Sequence, residues 1–453
     1  MKYVLLTIAL FVANTISWGQ QNPLLTNEYW KAKPTVAQLQ QAIAQGHSPT
    51  EFNTRSFDAT TMAILNGAPY ETITYLINLE GNGVDKLTHD RRTYLFWAAY
   101  QDNVPLMEYL IAKGAKVNIT ESHQFTPLLF AAVGGQTNTA IYKLLLNHGA
   151  SITDTNNDGA NVLLLLIPHL TDLSQADFFL KKGLKLTSKD KKGNNAIHYA
   201  ATTGNKTLIE ALIKKKIKLN SLNNNAENAI FAAARGARRN YNKLEFFQYL
   251  EQLGLNPNSP NTEGLTPLFM ASARNPEVAV INYFIQKGNN PQQTNKEGRT
   301  LLMNAASSNT PEIAKTLLQS GAAINHKDKN GQSALTLAVE NNKPEMVQFL
   351  LSNGADAQVV DNEGNTLYHY AVKRSDIKIL ELLANTSLSI NQKNNEGLTP
   401  LHKAVMIAKK LDIVQFLLNQ KADKTLTTNL GETLYDLAQE NEALKAVNID
   451  FLK

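Results

Sequence analysis

The residues able to do chemistry are few and scattered. His198, His369 and His402 each stand fourth in a six-residue string: Asn195-Ala-Ile-His-Tyr-Ala200, Thr366-Leu-Tyr-His-Tyr-Ala371 and Thr399-Pro-Leu-His-Lys-Ala404. Clustered imidazoles would offer general-base or metal-ligand chemistry, but these three fall in separate copies of a repeating unit and cannot converge. Asp154-Thr-Asn-Asn-Asp-Gly159 mimics the first half of a calcium loop. Such a loop needs a bidentate Glu at its twelfth position, and Leu165 stands there inside an apolar run, so a turn is the better reading. Gly204-Asn-Lys-Thr207 resembles the end of a phosphate-binding loop, without the upstream glycine or the preceding strand. The strings G-x-S-x-G, H-E-x-x-H and G-x-G-x-x-G are missing. With no cysteine, the chain has no disulfide, thiolate metal site or cysteine nucleophile. The expectation is a protein that is not an enzyme, with no catalytic residue, no cofactor and no metal.

Charge says more. Between Lys181 and Lys243 stand 15 Lys/Arg against 3 Asp/Glu, a net of +12, whereas the whole chain is +5 and the remainder therefore −7. Lys181, Lys182 and Lys185 close one unit, Lys214, Lys215, Lys216 and Lys218 the next, and Arg235, Arg238 and Arg239 lie in what reads as an inserted loop, Ala234 to Lys243. Stacked units bring such positions side by side, so the charges should merge into a patch. That patch reads as a solvated lysine-rich face or as a dock for an acidic protein surface, with anionic lipid or glycan as further alternatives. Nucleic acid is not expected, since the aromatic interleaving that reads single strands is lacking.

The elements that position these groups follow from a repeat. Strings of the same kind begin at 93, 126, 161, 195, 228, 266, 300, 333, 366, 399 and 433, so that successive starts lie 33 to 38 residues apart. Each opens on Thr, Ser or Asn, a helix N-cap whose side-chain oxygen accepts from an orphan amide of the first turn. Pro127, Pro267 and Pro400 follow at the first helical position, where a missing N–H costs nothing. Paired small residues (Ala98-Ala99, Ala131-Ala132, Ala305-Ala306) let neighbouring helices approach. A second apolar cluster, such as Leu317-Leu318 or Leu350-Leu351, marks a second helix, and a glycine such as Gly321 or Gly354 stops it. A turn such as Asp328-Lys-Asn-Gly331 leads into the next copy. Lys216 and Lys421 stand where other units have the stopping glycine, so those loops are expected to be less regular. Pro168 should end its helix early.

Helix, turn, helix and hairpin-like turn at this period resemble the ankyrin-repeat family, over roughly residues 57 to 453. The resemblance implies an all-α solenoid of stacked helix-turn-helix units with β-hairpin tips, about 11 repeats. It divides the chain into 20–56, an N-terminal segment and capping helix; 57–428, the repeat array; and 429–453, a C-terminal capping repeat. It also implies that the fourth-place histidines are structural, each bonding to the backbone of an adjacent hairpin. Partners of such proteins usually engage the tips and the exposed face of the first helices. By position this gives Arg91, Tyr100, Phe125, Lys191, Lys192, Asn194, Arg235, Arg274, Arg299, Lys373 and Arg374, besides the basic residues named above.

Residues 1–19 read as a cleavable signal peptide. Lys2 begins a short basic region, Val4 to Ala13 is almost wholly apolar, and Ser17 and Gly19 suit cleavage before Gln20. A retained N-terminal anchor is the alternative. No cysteine follows for lipid attachment, and no later segment has the length and apolarity of a membrane span. The expected location is periplasmic or secreted. The expected function is a protein–protein interaction scaffold there. The alternatives are a ligand- or metal-delivery accessory of an envelope enzyme, or an inhibitor or immunity-type binder.

Overall fold

The structure, a computed structural model, describes residues 22–237 and 240–453. The expected signal peptide, with Arg238 and Arg239 of the basic loop, lies outside them. Among the described residues the chain forms 25 α-helices and no strand. They fall into two compact units, one ending at His169 and the other beginning at Leu170.

Both units are built from helix pairs. In the first unit the helices Ala59–Leu65, Tyr94–Tyr100, Pro127–Val133 and Val162–Leu166 pack in sequence on one another as a row of first helices. Val36–Ala44 packs on Tyr70–Ile77, and Val104–Ala112 on Thr139–Asn147, as second helices. The second unit repeats this plan from Ala196–Ala201 to Leu434–Glu440. First helices are buried almost all round: every residue from Leu301 to Ala306 is buried. The alanine pairs 98–99, 131–132 and 305–306 are wholly inaccessible, as close approach between first helices requires. Second helices bury one stripe only, for example Ile313, Ala314, Thr316 and Leu317 of Pro311–Gln319.

Most of the caps act as their residue types dictate, although Thr93 and Thr266 open their helices without a side-chain cap bond. Thr300 accepts from the Met303 amide at 3.1 Å, and Pro127, Pro267 and Pro400 sit in the first turn. Val162–Leu166 gives way to a 3-10 turn at Ile167–His169, around Pro168. At the N-terminus the short helix Asn27–Lys31 packs on Ala59–Leu65, an element the sequence reading lacked. Its Trp30 is fully buried and donates Nε1–H to the Leu24 carbonyl at 2.7 Å.

Two expectations need correction. The loops at Lys216 and Lys421 are regular. Gly321 ends its helix at φ +92° with its amide on Leu318 and that of Ala322 on Leu317. Lys216 and Lys421 do the same at φ +64°, through Lys216 to Ile213 and Ile217 to Leu212, and through Lys421 to Leu418 and Ala422 to Leu417. Those two hydrogen bonds, with Ile217 and Ala422 buried just beyond them, outweigh the strain of a left-handed lysine. Relieving that strain should show: Lys216→Gly and Lys421→Gly are each expected to stabilise the fold by about 0.5–1 kcal/mol, read as a raised urea midpoint.

The tips, in turn, are not strand ladders. Their arms are too short, and isolated bridges such as Thr155 to Asn161 and Thr294 to Thr300 are all the β-pairing they show among the described residues. Each tip is instead a self-capped turn. In Asp328–Gln332 the Asp328 carboxylate accepts from the amides of Asn330 and Gln332 at 2.9 and 3.0 Å. Successive tips are then stitched by single backbone bonds: Asn362 to Asn330 and Asn395 to Glu363, both at 2.9 Å. The stacking is tight enough that a Cβ on Gly364, at φ +77°, would lie 2.6 Å from Asn395 Oδ1.

In the second unit the opposite end of several pairs, where first helix turns into second, carries a ladder of asparagine side chains. Asn275 Nδ2 donates to Asn242 O at 2.8 Å, Asn309 to Asn275 O at 3.0 Å, and Asn342 to Asn309 O at 3.0 Å. Asn441 does likewise toward Val405 O and Ala408 O, both at 2.8 Å. Each amide satisfies backbone carbonyls left open between the first and second helices of the preceding repeat.

Candidate protein-binding surface

The three signature histidines belong to the framework. The backbone amides of Asn195, Thr366 and Thr399 point at Nδ1 of His198, His369 and His402, at 3.3, 3.1 and 3.1 Å. An amide can only donate, so each Nδ1 accepts and each proton sits on Nε2. Nε2 donates to a carbonyl beyond the repeat: Glu227 at 3.0 Å, Leu398 at 3.0 Å and Leu426 at 2.9 Å. Burial lowers the pKa of all three, and takes His369 down to about 4. They are neutral struts between one repeat and the next.

In the first unit, the tips at 88–92 and 121–125 meet around a group that the sequence reading passed over. Arg92 is buried, with Nη2 at 2.9 Å from Glu121 Oε2 and 3.0 Å from Asp90 Oδ2. Its guanidinium also lies over the Phe130 ring, 4.4 Å from the centroid. Asp90, Glu121 and His123 bring ligand atoms within 4.8 Å of one another, a spacing a cation could use. The charge such an ion would supply is already supplied by Arg92, which bridges the two carboxylates, so the group reads as a structural clamp. Tyr100 and Phe125 flank it. Tyr100, at 37% exposed, lies against Phe130 with ring centroids 5.3 Å apart, and the half-buried Phe125 meets the same ring edge-on. Arg91 is exposed on its tip at φ +64°.

The lysines of 181–218 are open to solvent, Lys214, Lys215 and Lys216 included, and these three form no ion pair with the described residues. Lys191 and Lys192 are exposed on their tip. Two of the three acids within 181–243 are turned inward. Asp190 is buried and accepts from the Asn194 amide, from Asn194 Nδ2 and from the Tyr199 hydroxyl at 2.8, 2.9 and 3.0 Å. Glu227 is buried beneath Arg235, Asn223 and Asn261. Burial works against its charge, and the Arg235 guanidinium with those amides outweighs burial, holding the carboxyl below its usual range. The charge that this stretch opens to solvent is therefore almost wholly positive, with Glu210 the one exposed acid among its described residues.

Two expected contact residues are spent on the fold. Asn194 is committed to Asp190 and accepts from Asn223 Nδ2 at 2.9 Å. Arg235 is the last residue of the helix Ala229–Arg235, not part of the loop, and its Nη2 lies 2.8 Å from Glu227 Oε2. The others differ in freedom. Arg274 is exposed, Arg299 is half-buried with its amide on Asn295 Oδ1, Lys373 stands 3.3 Å from Glu340, and Arg374 stands 3.5 Å from Asp376. Arg274, Arg299 and the adjacent pair Lys373 and Arg374 belong to three different repeats of the second unit. No helix among the described residues is long and apolar enough to cross a membrane.

Comparison with known proteins places this geometry. The family described as ankyrin repeats (3 copies) matches residues 60–156, 163–250, 237–328, 305–394 and 335–428. Among curated proteins, the transient receptor potential cation channel subfamily A member 1 of Homo sapiens is 26% identical over 121 residues, 27% of this chain and 11% of that protein. Palmitoyltransferase AKR1 of Lachancea kluyveri is 32% identical over 141 residues, 29% of this chain and 19% of that one. The RelA-associated inhibitor of Mus musculus is 45% identical over 62 residues, 14% and 7% of the two chains. This chain thus spans less than a fifth of the length of each of these relatives.

Proposed function

The chain belongs to the ankyrin-repeat family, and from that premise we propose that it is an exported scaffold that binds an acidic, folded partner protein through the lysine-rich face of residues 181–218. Ankyrin repeats mediate protein–protein interaction and are typically non-catalytic. The RelA-associated inhibitor carries an association in its name, which agrees with that role. The observation that carries the proposal is the exposure of the lysines while Asp190 and Glu227 are buried. A field of one sign raises the rate of encounter with a complementary surface. Export rests on the apolar run Val4 to Ala13 and the small residues that follow it.

The test is capture by the immobilised chain, wild type against Lys214→Glu/Lys215→Glu/Lys216→Glu. These side chains are exposed, so the fold should survive, which circular dichroism checks. Retention of an acidic partner should fall at least tenfold in the variant, and the difference should shrink as salt is raised. Equal retention by both forms at low salt would remove the basic face from the account.

A further inference from the structure

The asparagine ladder is broken at two consecutive rungs. Asn342, Ser375, Ala408 and Asn441 are each 33 residues apart and stand at the same place in their turns. Ser375 sits at φ +59° and its hydroxyl turns back to its own repeat, on Val372 O at 3.4 Å. Ala408 has no donor in its side chain at all. No side-chain amide therefore ties the turn around 375 to the turn around 408. At that gap a groove of about 670 Å³ opens, lined by Ile377, Ile407 and Ile413 and by Lys373, Lys409 and Lys410.

The lining is unusual for a solvent-facing surface. Ile377 and Ile407 in the lining are 40% and 46% exposed, and Met406 beside them is 45% exposed. Lys409 and Lys410 are exposed and form no ion pair with the described residues, and Asp412 is the one acid in the lining. The volume falls within the range of about 300–1,000 Å³ common to binding sites. Apolar walls with an unneutralised basic rim call for an occupant with apolar side chains and carboxylates.

We propose that the gap in the ladder is a docking groove for an acidic amphipathic segment of a partner protein, whose apolar side chains seat on Ile377, Ile407 and Ile413 while its carboxylates meet Lys409 and Lys410. This deepens the reading of the chain as a protein-binding scaffold and rests on it, but it uses a surface separate from the lysines of 181–218. The missing amides give the groove its shape, because an asparagine at 408 would bridge it. Ala408 already has the backbone of the rungs, φ −61° and ψ 128°, against φ −76° and ψ 106° at Asn441. By the pattern of Asn441, such a side chain would reach the carbonyls of Val372 and Ser375.

The experiment pans a random dodecapeptide library against the full chain and measures the enriched peptides by fluorescence polarisation. The forms compared are wild type, Lys409→Glu/Lys410→Glu, Ile407→Ser, Ala408→Asn and the Lys214–216 triple charge reversal. Enriched peptides should combine apolar and acidic residues. They should bind at least tenfold more weakly to the first three variants, with a steep salt dependence at the lysines, and normally to the triple reversal. Melting curves confirm that each variant is folded, and Ala408→Asn should melt higher than wild type. The proposal is overturned if no peptide is enriched, or if enriched peptides bind the groove variants as well as wild type. It also fails if decanoate binds where no peptide does, or if the chain forms a dimer that Ile407→Ser dissociates. Peptide binding that survives the triple reversal, with loss of partner capture on the basic face, would separate this groove from the face proposed above.

Discussion

Arg92→Ala should destabilise the unit ending at His169 by about 3–5 kcal/mol, the range for breaking a buried ion pair on one side. The guanidinium neutralises Glu121, whose side chain is fully buried, and its removal strands that carboxylate. Glu121 cannot swing out to water, because its other oxygen holds the amides of His123 and Phe125 at 2.8 and 3.1 Å and so shapes the tip. The alanine also forfeits the face of Phe130 and the flank of Trp97, whose rings lie 4.4 and 5.2 Å from the guanidinium carbon. Urea denaturation of Arg92→Ala, Glu121→Gln and the double variant forms the cycle that isolates the pair. The double variant should recover part of the loss, since no charge is then left stranded. A single-variant cost below about 1 kcal/mol would show that Glu121 finds water, and the clamp would have to be abandoned.

The second large effect is acid sensitivity at a pH where carboxylates are still ionised. His198, His369 and His402 accept a backbone amide at Nδ1, so protonation there destroys a hydrogen bond and charges a buried ring. Their folded pKa values are depressed, mainly by burial, that of His369 to about 4. In the unfolded chain a histidine titrates near 6.5, so below that pH the unfolded state binds the extra protons and is favoured. Stability contributed by the neutral rings is complete above about pH 6.5 and is lost as pH falls toward about 4. For His369 alone the loss at pH 4 should be about 2–4 kcal/mol. Glu227 and Asp361, whose folded pKa values are lowered, act in the same direction but only below the carboxylate range near about 4.5. Melting temperature measured from pH 7.5 to 4.5 should drop steeply, and His369→Gln should flatten the slope. An unchanged melting temperature between pH 7.5 and 5 would mean that the rings are protonated without cost.

Much of this architecture was legible in the residues themselves. Thr300 opening a helix, Pro400 inside the first turn and Gly321 closing a second helix are local decisions, made between atoms a few bonds apart. The ladder was half-legible: Asn242, Asn275, Asn309 and Asn342 recur at 33 or 34 residues, and the sequence reading took no account of them. Their spacing alone does not say that each amide crosses to the preceding turn. The strain at Lys216 was misjudged because the two hydrogen bonds that hold it left-handed are formed only once the helix end has closed.

The amino-acid sequence by itself determined the repeat, its period, the residues that open and close most of its helices, and the excess of positive charge between 181 and 243. Tertiary structure alone decided which polar groups remain for a partner. It buried Asp190 and Glu227, engaged Asn194 and Arg235, left Lys214 to Lys216 open, and parted the turns at Ser375 and Ala408. The physical reason is distance. Caps and stops depend on the next few residues, whereas Asp190 and Glu227 are spent on partners from 4 to 34 positions away that only the closed tip and the stack bring within hydrogen-bond reach.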